Sequence, residues 1–141
     1  MEALLQTSEG DMRKAITTLQ SCARLKDGAD EAEVTGRDVR EMSGVVPDEW
    51  VGGMVDVCKK NSFEKMQAFA DDFMAEGYSV VQFIDQLHSR VVDDEALSDR
   101  QKSAVCEALA VNEFRLLDGA SEYLQLIDLC AVLVKTLTQG A

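Results

Sequence analysis

From Asp11 to Leu137 the apolar residues of this chain return every three or four positions, and no stretch alternates apolar with polar. That spacing puts apolar side chains along one side of a helix and gives a strand no buried face. The punctuation agrees with the period. Only one proline, Pro47, is present to break the 141 residues, so helices with short connections are expected. A first helix is predicted from about Asp11 to Lys26, with Met12, Ala15, Ile16, Leu19, Cys22 and Ala23 on its apolar side. Thr35 and Asp38 have capping-box spacing for a short helix ending near Ser43-Gly44. Pro47 suits the first turn of the next helix, whose stripe is Val51, Met54, Val55 and Cys58. Asn61-Ser62 restarts the chain, and Gly77 is placed to close the following helix as a left-handed cap. Ser79 opens another, which ends unfavourably for its dipole at Asp93-Asp94-Glu95. Ser98 and Gln101 form a second capping box. The long helix they start carries Val105, Ala108, Leu109 and Leu116 on one face, interrupted by Asn112, and Gly119 stops it. Ser121 starts a last helix that is apolar around most of its circumference. The count is about eight helical segments in an all-α chain.

The breadth of the last helix predicts burial on several sides. Shared subunit interfaces and a monomeric core both give that pattern. Trp50, Tyr123, Leu126 and Leu133 are the interface candidates, Trp50 because tryptophan is enriched at binding hot spots. Phe63, Phe69, Phe73 and Phe83 have helical spacing and are expected in the core.

Charge narrows the function classes. Fourteen basic residues face twenty-six acidic ones, a formal net charge of −12, which repels nucleic acid. The tyrosines have no interleaved basic residues with which to build a base-stacking surface. Cys22, Cys58, Cys106 and Cys130 form no CxxC pair, and His88 is distant from all of them in sequence, so zinc-ligand spacing is absent. Each cysteine falls on or beside an apolar stripe, as expected of buried reduced thiols. No apolar run is long enough for a membrane span: Leu124 to Leu137 contains Asp128 and Lys135. The adjacent acids Asp71-Asp72 and Asp93-Asp94-Glu95 point in different directions on a helix and make no acid–base pair. His88 reads as an exposed or edge side chain. The acidic stretch from Asp27 to Glu33 reads as a solvated loop.

One segment carries more specific information. Ser8-Glu9-Gly10-Asp11-Met12-Arg13-Lys14-Ala15 places an arginine in the first turn of a helix, where a cation opposes the dipole. An anion held at that helix end would offset the conflict. An ordinary solvated arginine behind an Asp cap is the plainer reading of the same residues.

The segment resembles the sensor 2 motif of AAA+ ATPases, as found in the small subunits of the eukaryotic clamp loader, replication factor C. Ala15-Ile16-Thr17-Thr18-Leu19-Gln20-Ser21 continues like that family's last lid helix. Ser43-Gly44-Val45-Val46-Pro47 resembles the lid–collar boundary, and Asp118 to Leu126 resembles the closing segment of the collar. The resemblance implies the C-terminal part of an AAA+ lid domain over residues 1–44. It implies a helical collar of five to six helices, an oligomerisation domain, over residues 45–141. Met1 to Gln6 then reads as the tail of a longer helix.

In full-length family members the residue matching Arg13 reaches the γ-phosphate of ATP, with Gly10 and Asp11 as motif support. The implied partners are the other clamp loader subunits of a hetero-pentamer. The sliding clamp PCNA and primer–template DNA would be engaged only through the whole nuclear complex, a DNA-dependent ATPase that uses ATP and magnesium. This chain lacks the GxxxxGK[ST] loop, the DExx box and the Ser-Arg-Cys motif. The expectation is therefore an assembly segment without cofactor, metal, catalysis or direct nucleic-acid binding. The alternative is a self-contained helical interaction domain with no role in replication.

Overall fold

The structure is a computed structural model that describes residues 1–8, 10–27 and 33–139. The predicted acidic loop lies mostly outside these residues. Among them are eight α-helices and no strand. The chain divides into two compact units, Met1–Val46 and Pro47–Ala141, so the division falls two residues after the expected 44/45 boundary.

The first unit holds α1 (Glu2–Ser8), α2 (Met12–Lys26) and α3 (Gly36–Met42). Each helix packs on the other two. Its core is small: Ala3, Leu4, Cys22 and Val39, with Val34 half-buried against them. Polar links complete it. The Cys22 thiol donates to the Asp38 carbonyl at 3.6 Å. Lys26 Nζ lies 2.8 Å from the Asp38 carboxylate and donates to the Glu33 carbonyl at 2.8 Å. Asp38 also closes the capping box by accepting from the Thr35 N–H at 2.6 Å. Lys26 and the Thr35 donors hold its carboxyl well below the usual carboxylate range.

The expected apolar face of α2 is mostly not core. Of Met12, Ala15, Ile16, Leu19, Cys22 and Ala23, only Cys22 is buried, and Met12, Ile16 and Leu19 are exposed. Two short helices cover a narrow strip of α2, and its helical spacing could not reveal how much of the stripe they reach.

The second unit is a five-helix bundle: α4 (Asp48–Lys59), α5 (Phe63–Glu76), α6 (Val80–Asp93), α7 (Asp99–Leu117) and α8 (Glu122–Gln139). Helix α8 packs against α4, α5 and α7, and α6 packs against α4 and α7. The helix ends follow the caps. Pro47 stands one position ahead of α4, in the N-cap place. Gly77 ends α5 at φ +77°, a conformation a side chain would strain. Ser98 and Gln101 form their capping box, and the Gln101 side-chain amide also donates to the Thr136 carbonyl at 3.1 Å. At the acidic end of α6 the Lys102 ammonium donates to the Val92 carbonyl at 2.6 Å, and with Arg90 in the last turn it places positive charge at that helix end.

The core is dense with large side chains. Met54, Phe73, Phe83, Leu87, Leu109, Leu126 and Leu129 are fully enclosed. Three expectations are corrected. Phe63 is exposed, because it stands at the first helical position of α5. Asn112 does not interrupt the buried face of α7 but lies in it, donating to the Ala108 carbonyl at 2.9 Å and to Asp128 at 3.4 Å. Cys106 is only half-buried, while Cys22, Cys58 and Cys130 are enclosed, and all four are free thiols. The Cys58 thiol donates to the Cys130 carbonyl at 3.6 Å, and the adjacent Cys58 and burial push the Cys130 thiol up.

Candidate functional site

Arg13 follows directly from the cap that starts α2. Asp11 adopts extended backbone as N-cap, and its carboxylate accepts from the N–H of Arg13 at 2.8 Å and of Lys14 at 3.4 Å. Gly10 precedes it at φ +87° and makes the turn out of α1. The Arg13 side chain is exposed and has no ion pair among the described residues.

This geometry changes the basis of the phosphate argument. Two of the free N–H groups that would have drawn an anion to the helix end, those of Arg13 and Lys14, are already taken by Asp11. The same carboxylate offsets the cost of a cation in the first turn. The Arg13 guanidinium is left exposed at this end, and its planar fork has the geometry that matches phosphate oxygens. Gly10, Asp11 and Arg13 are therefore brought together in the turn and first helical turn, with distinct tasks: bend, cap and free charge.

The four interface candidates separate into two pairs. Leu126 and Leu133 are enclosed within the bundle, at 0% and 2% exposure, and are corrected from interface to core. The breadth of the apolar surface on α8 reflects the helices around it in the same chain. Trp50 and Tyr123 are half-buried. The Trp50 ring meets Phe69 at 5.4 Å, Phe73 at 5.5 Å and Tyr78 at 6.5 Å, all edge to face, and Phe73 meets Phe83 at 5.0 Å. Trp50 thus seals one side of an aromatic core. Tyr123 faces Asp71 and Gln67 on α5, and burial and the Asp71 carboxylate push its phenol up.

The surface that does face outward lies elsewhere. On α7, Val111, Phe114 and Leu117 are exposed, the last two at 71% and 73%. Their three-residue spacing puts them on the side of the helix opposite Val105, Leu109 and Asn112. Leu124, near the start of α8, is exposed as well. Helix α7 is thus apolar on two sides, one turned into the bundle and one to solvent. The sequence signal was present in the 111–114–117 spacing, but the stronger 105–109–116 stripe had already accounted for the helix. Beside this face Arg115 pairs with Asp128 at 3.3 Å and links α7 to α8. Contiguous exposed apolar side chains of this size are characteristic of protein interaction surfaces.

The described residues contain no group of three or more histidine, cysteine or acidic side chains placed to hold a metal. No helix among them is long and apolar enough to cross a membrane.

Comparison with known proteins gives these surfaces a context. The family model described as the Replication factor C C-terminal domain matches residues 46–132, which includes most of the five-helix unit. The chain belongs to the replication factor C family. It is 44% identical over 137 residues to replication factor C subunit 4 of Homo sapiens, covering 97% of this chain and 37% of that protein. Identity to replication factor C subunit 4 of Arabidopsis thaliana is 39% over 142 residues, covering 100% and 41%. Identity to the replication factor C small subunit of Thermoplasma volcanium is 30% over 132 residues, covering 93% and 39%. The chain therefore spans about two-fifths of the length of these replication factor C relatives. Membership disfavours the alternative of a helical domain unrelated to replication.

Proposed function

We propose that this chain is the assembly portion of a DNA sliding-clamp loader subunit. The α7 face formed by Val111, Phe114 and Leu117 carries the proposal, because it exposes large apolar side chains inside the region matched by the family's C-terminal domain. Packing that face against a neighbouring subunit would remove it from water. The work of this segment is then to hold subunits together, including the other members of a hetero-pentamer. Clamp and primer–template DNA are engaged by the whole complex, in the nucleus, with ATP and magnesium bound by domains that carry the phosphate loop.

Arg13 has the complementary role. In a full-length subunit its exposed guanidinium would contact the γ-phosphate of ATP, while Asp11 and Gly10 fix the helix that carries it. In the chain by itself one arginine is too little to hold nucleotide.

Size-exclusion chromatography with light scattering tests the assembly role, using this chain mixed with the other small clamp loader subunits. A larger, defined complex is expected, and it should be lost in the Phe114→Asp, Leu117→Asp double variant, which remains folded because both positions are exposed. A complex that forms equally well with the double variant would remove the α7 face from the proposal. Arg13→Ala in a full-length subunit should lower ATP-dependent clamp loading and leave assembly intact. Loss of assembly would make Arg13 structural.

A further inference from the structure

The outward face of α7 carries charge at both ends. Glu107, Val111, Phe114 and Asp118 follow one another at intervals of four, three and four residues, so they share one side of the helix. Asp118 caps α7 at φ −82° and ψ 0°, close enough to helical backbone to prolong that line. All four side chains are exposed, and the exposed Ala110 and Leu117 lie alongside. The result is an apolar strip with a carboxylate at either end, the two ends about 16 Å apart at the rise of an α-helix. Spacing by four, three and four is that of a seam covered by a second helix.

Neither end carboxylate is matched within the chain. Glu107 and Asp118 make no ion pair among the described residues. The cation beside the strip, Arg115, is held by Asp128 of α8 at 3.3 Å. Arg100, the next cation on this side of the helix, stands seven residues ahead of Glu107 and outside the strip. Two copies of the strip therefore cannot pair without opposing like charges. In parallel register Glu107 meets Glu107 and Asp118 meets Asp118. In antiparallel register Glu107 meets Asp118 at both ends. A contact that removes Val111 and Phe114 from water would also remove part of the water that screens those carboxylates, which raises the repulsion. Nucleic acid and anionic lipid meet the same repulsion.

We infer that the α7 face takes an amphipathic helix of a partner protein whose apolar stripe carries a Lys or Arg at each end, and that it rejects a second copy of this chain. The partner's cations pair with Glu107 and Asp118, while its apolar side chains cover Val111 and Phe114. The end carboxylates act twice, attracting the complementary helix and repelling the identical one, and specificity is the difference between the two. The inference rests on the assembly role of the α7 face and adds to it the rule by which an unlike subunit is chosen over a like one.

A charge-reversed copy of this chain, Glu107→Lys with Asp118→Lys, has the chemistry required of the partner and serves as the probe. Both positions are exposed, so its thermal midpoint should match that of the parent. Light scattering should show a 1:1 heterodimer in the mixture that neither chain forms with itself. That heterodimer should be lost in about 1 M salt and when the parent carries Phe114→Asp. A mixture that associates no more than either chain alone overturns the inference. So does a parent chain that pairs with itself in a manner abolished by Phe114→Asp. With the other small clamp loader subunits, the charge-reversed chain should bind about tenfold or more weakly than the parent. If it binds equally well while Phe114→Asp with Leu117→Asp abolishes binding, the assembly role stands and the charge rule is overturned. If neither variant weakens binding, the assembly role of this face fails and the charge rule fails with it.

Discussion

The two units use the same element, a short amphipathic helix, with opposite results. The five-helix unit surrounds α8 with α4, α5 and α7, so the apolar stripe of each helix meets another. Among the described residues, the core of the three-helix unit is Ala3, Leu4, Cys22 and Val39, and Met12, Ile16 and Leu19 of α2 are left in water. A core of that size contributes little against the backbone entropy of ordering three helices. What holds the smaller unit is proportionally more polar: a capping box, the Lys26–Asp38 pair and the Cys22 thiol. The lesson is that periodicity measures how much apolar surface a helix offers. Neighbours determine how much of it is used.

The largest expected effect breaks the dense side of the comparison. Phe73 is fully enclosed and touches the rings of Trp50, Phe69, Tyr78 and Phe83. Phe73→Ala should cost about 3–5 kcal/mol in urea unfolding followed by tryptophan fluorescence. A loss below about 1 kcal/mol would mean that the aromatic cluster contributes little to the core of the five-helix unit.

Leu4→Ala removes one of the few enclosed side chains of the smaller unit and should cost about 2 kcal/mol locally. Amide hydrogen exchange is the readout. Helices α1–α3 should exchange faster than α4–α8 in the parent chain, and the substitution should widen that gap. Equal protection of both units would remove the contrast.

The polar supports come next. Thr35→Ala deletes the α3 cap and should cost about 1 kcal/mol. The Asp38 carboxyl titrates below its unfolded value, so at acidic pH the folded state binds fewer protons than the unfolded state and is penalised as the pH falls. Its contribution is therefore fully present above the ordinary carboxylate pKa of about 4 and is lost progressively below it. Protection of α3 should hold steady down to about pH 4 and fall as the pH is lowered further, and Asp38→Asn should flatten that dependence. A pH-independent α3 in the parent chain would show that the Lys26–Asp38 pair is not supporting it.

The smallest effect sharpens the comparison from the exposed side. Ile16→Asp on α2 should change stability by no more than about 0.5 kcal/mol, because the side chain already faces water. A thermal melt showing a large loss would mean that the α2 stripe is core after all.

The sequence by itself determined where helices begin and end. Thr35 with Asp38, Ser98 with Gln101, Ser79 and Gly77 act through groups a few residues away, so their effect is legible in one dimension. The Arg13 motif was legible for the same reason, since Asp11 and Arg13 meet within a single turn. Only the tertiary structure decided which apolar side chains are core. Leu126 and Phe114 look alike in sequence, yet one is sealed and the other stands in solvent. Asn112 looked like a flaw in a stripe until Asp128, sixteen residues away, proved to be its partner. Caps are satisfied by chain neighbours, whereas burial is set by whatever the folded chain brings alongside.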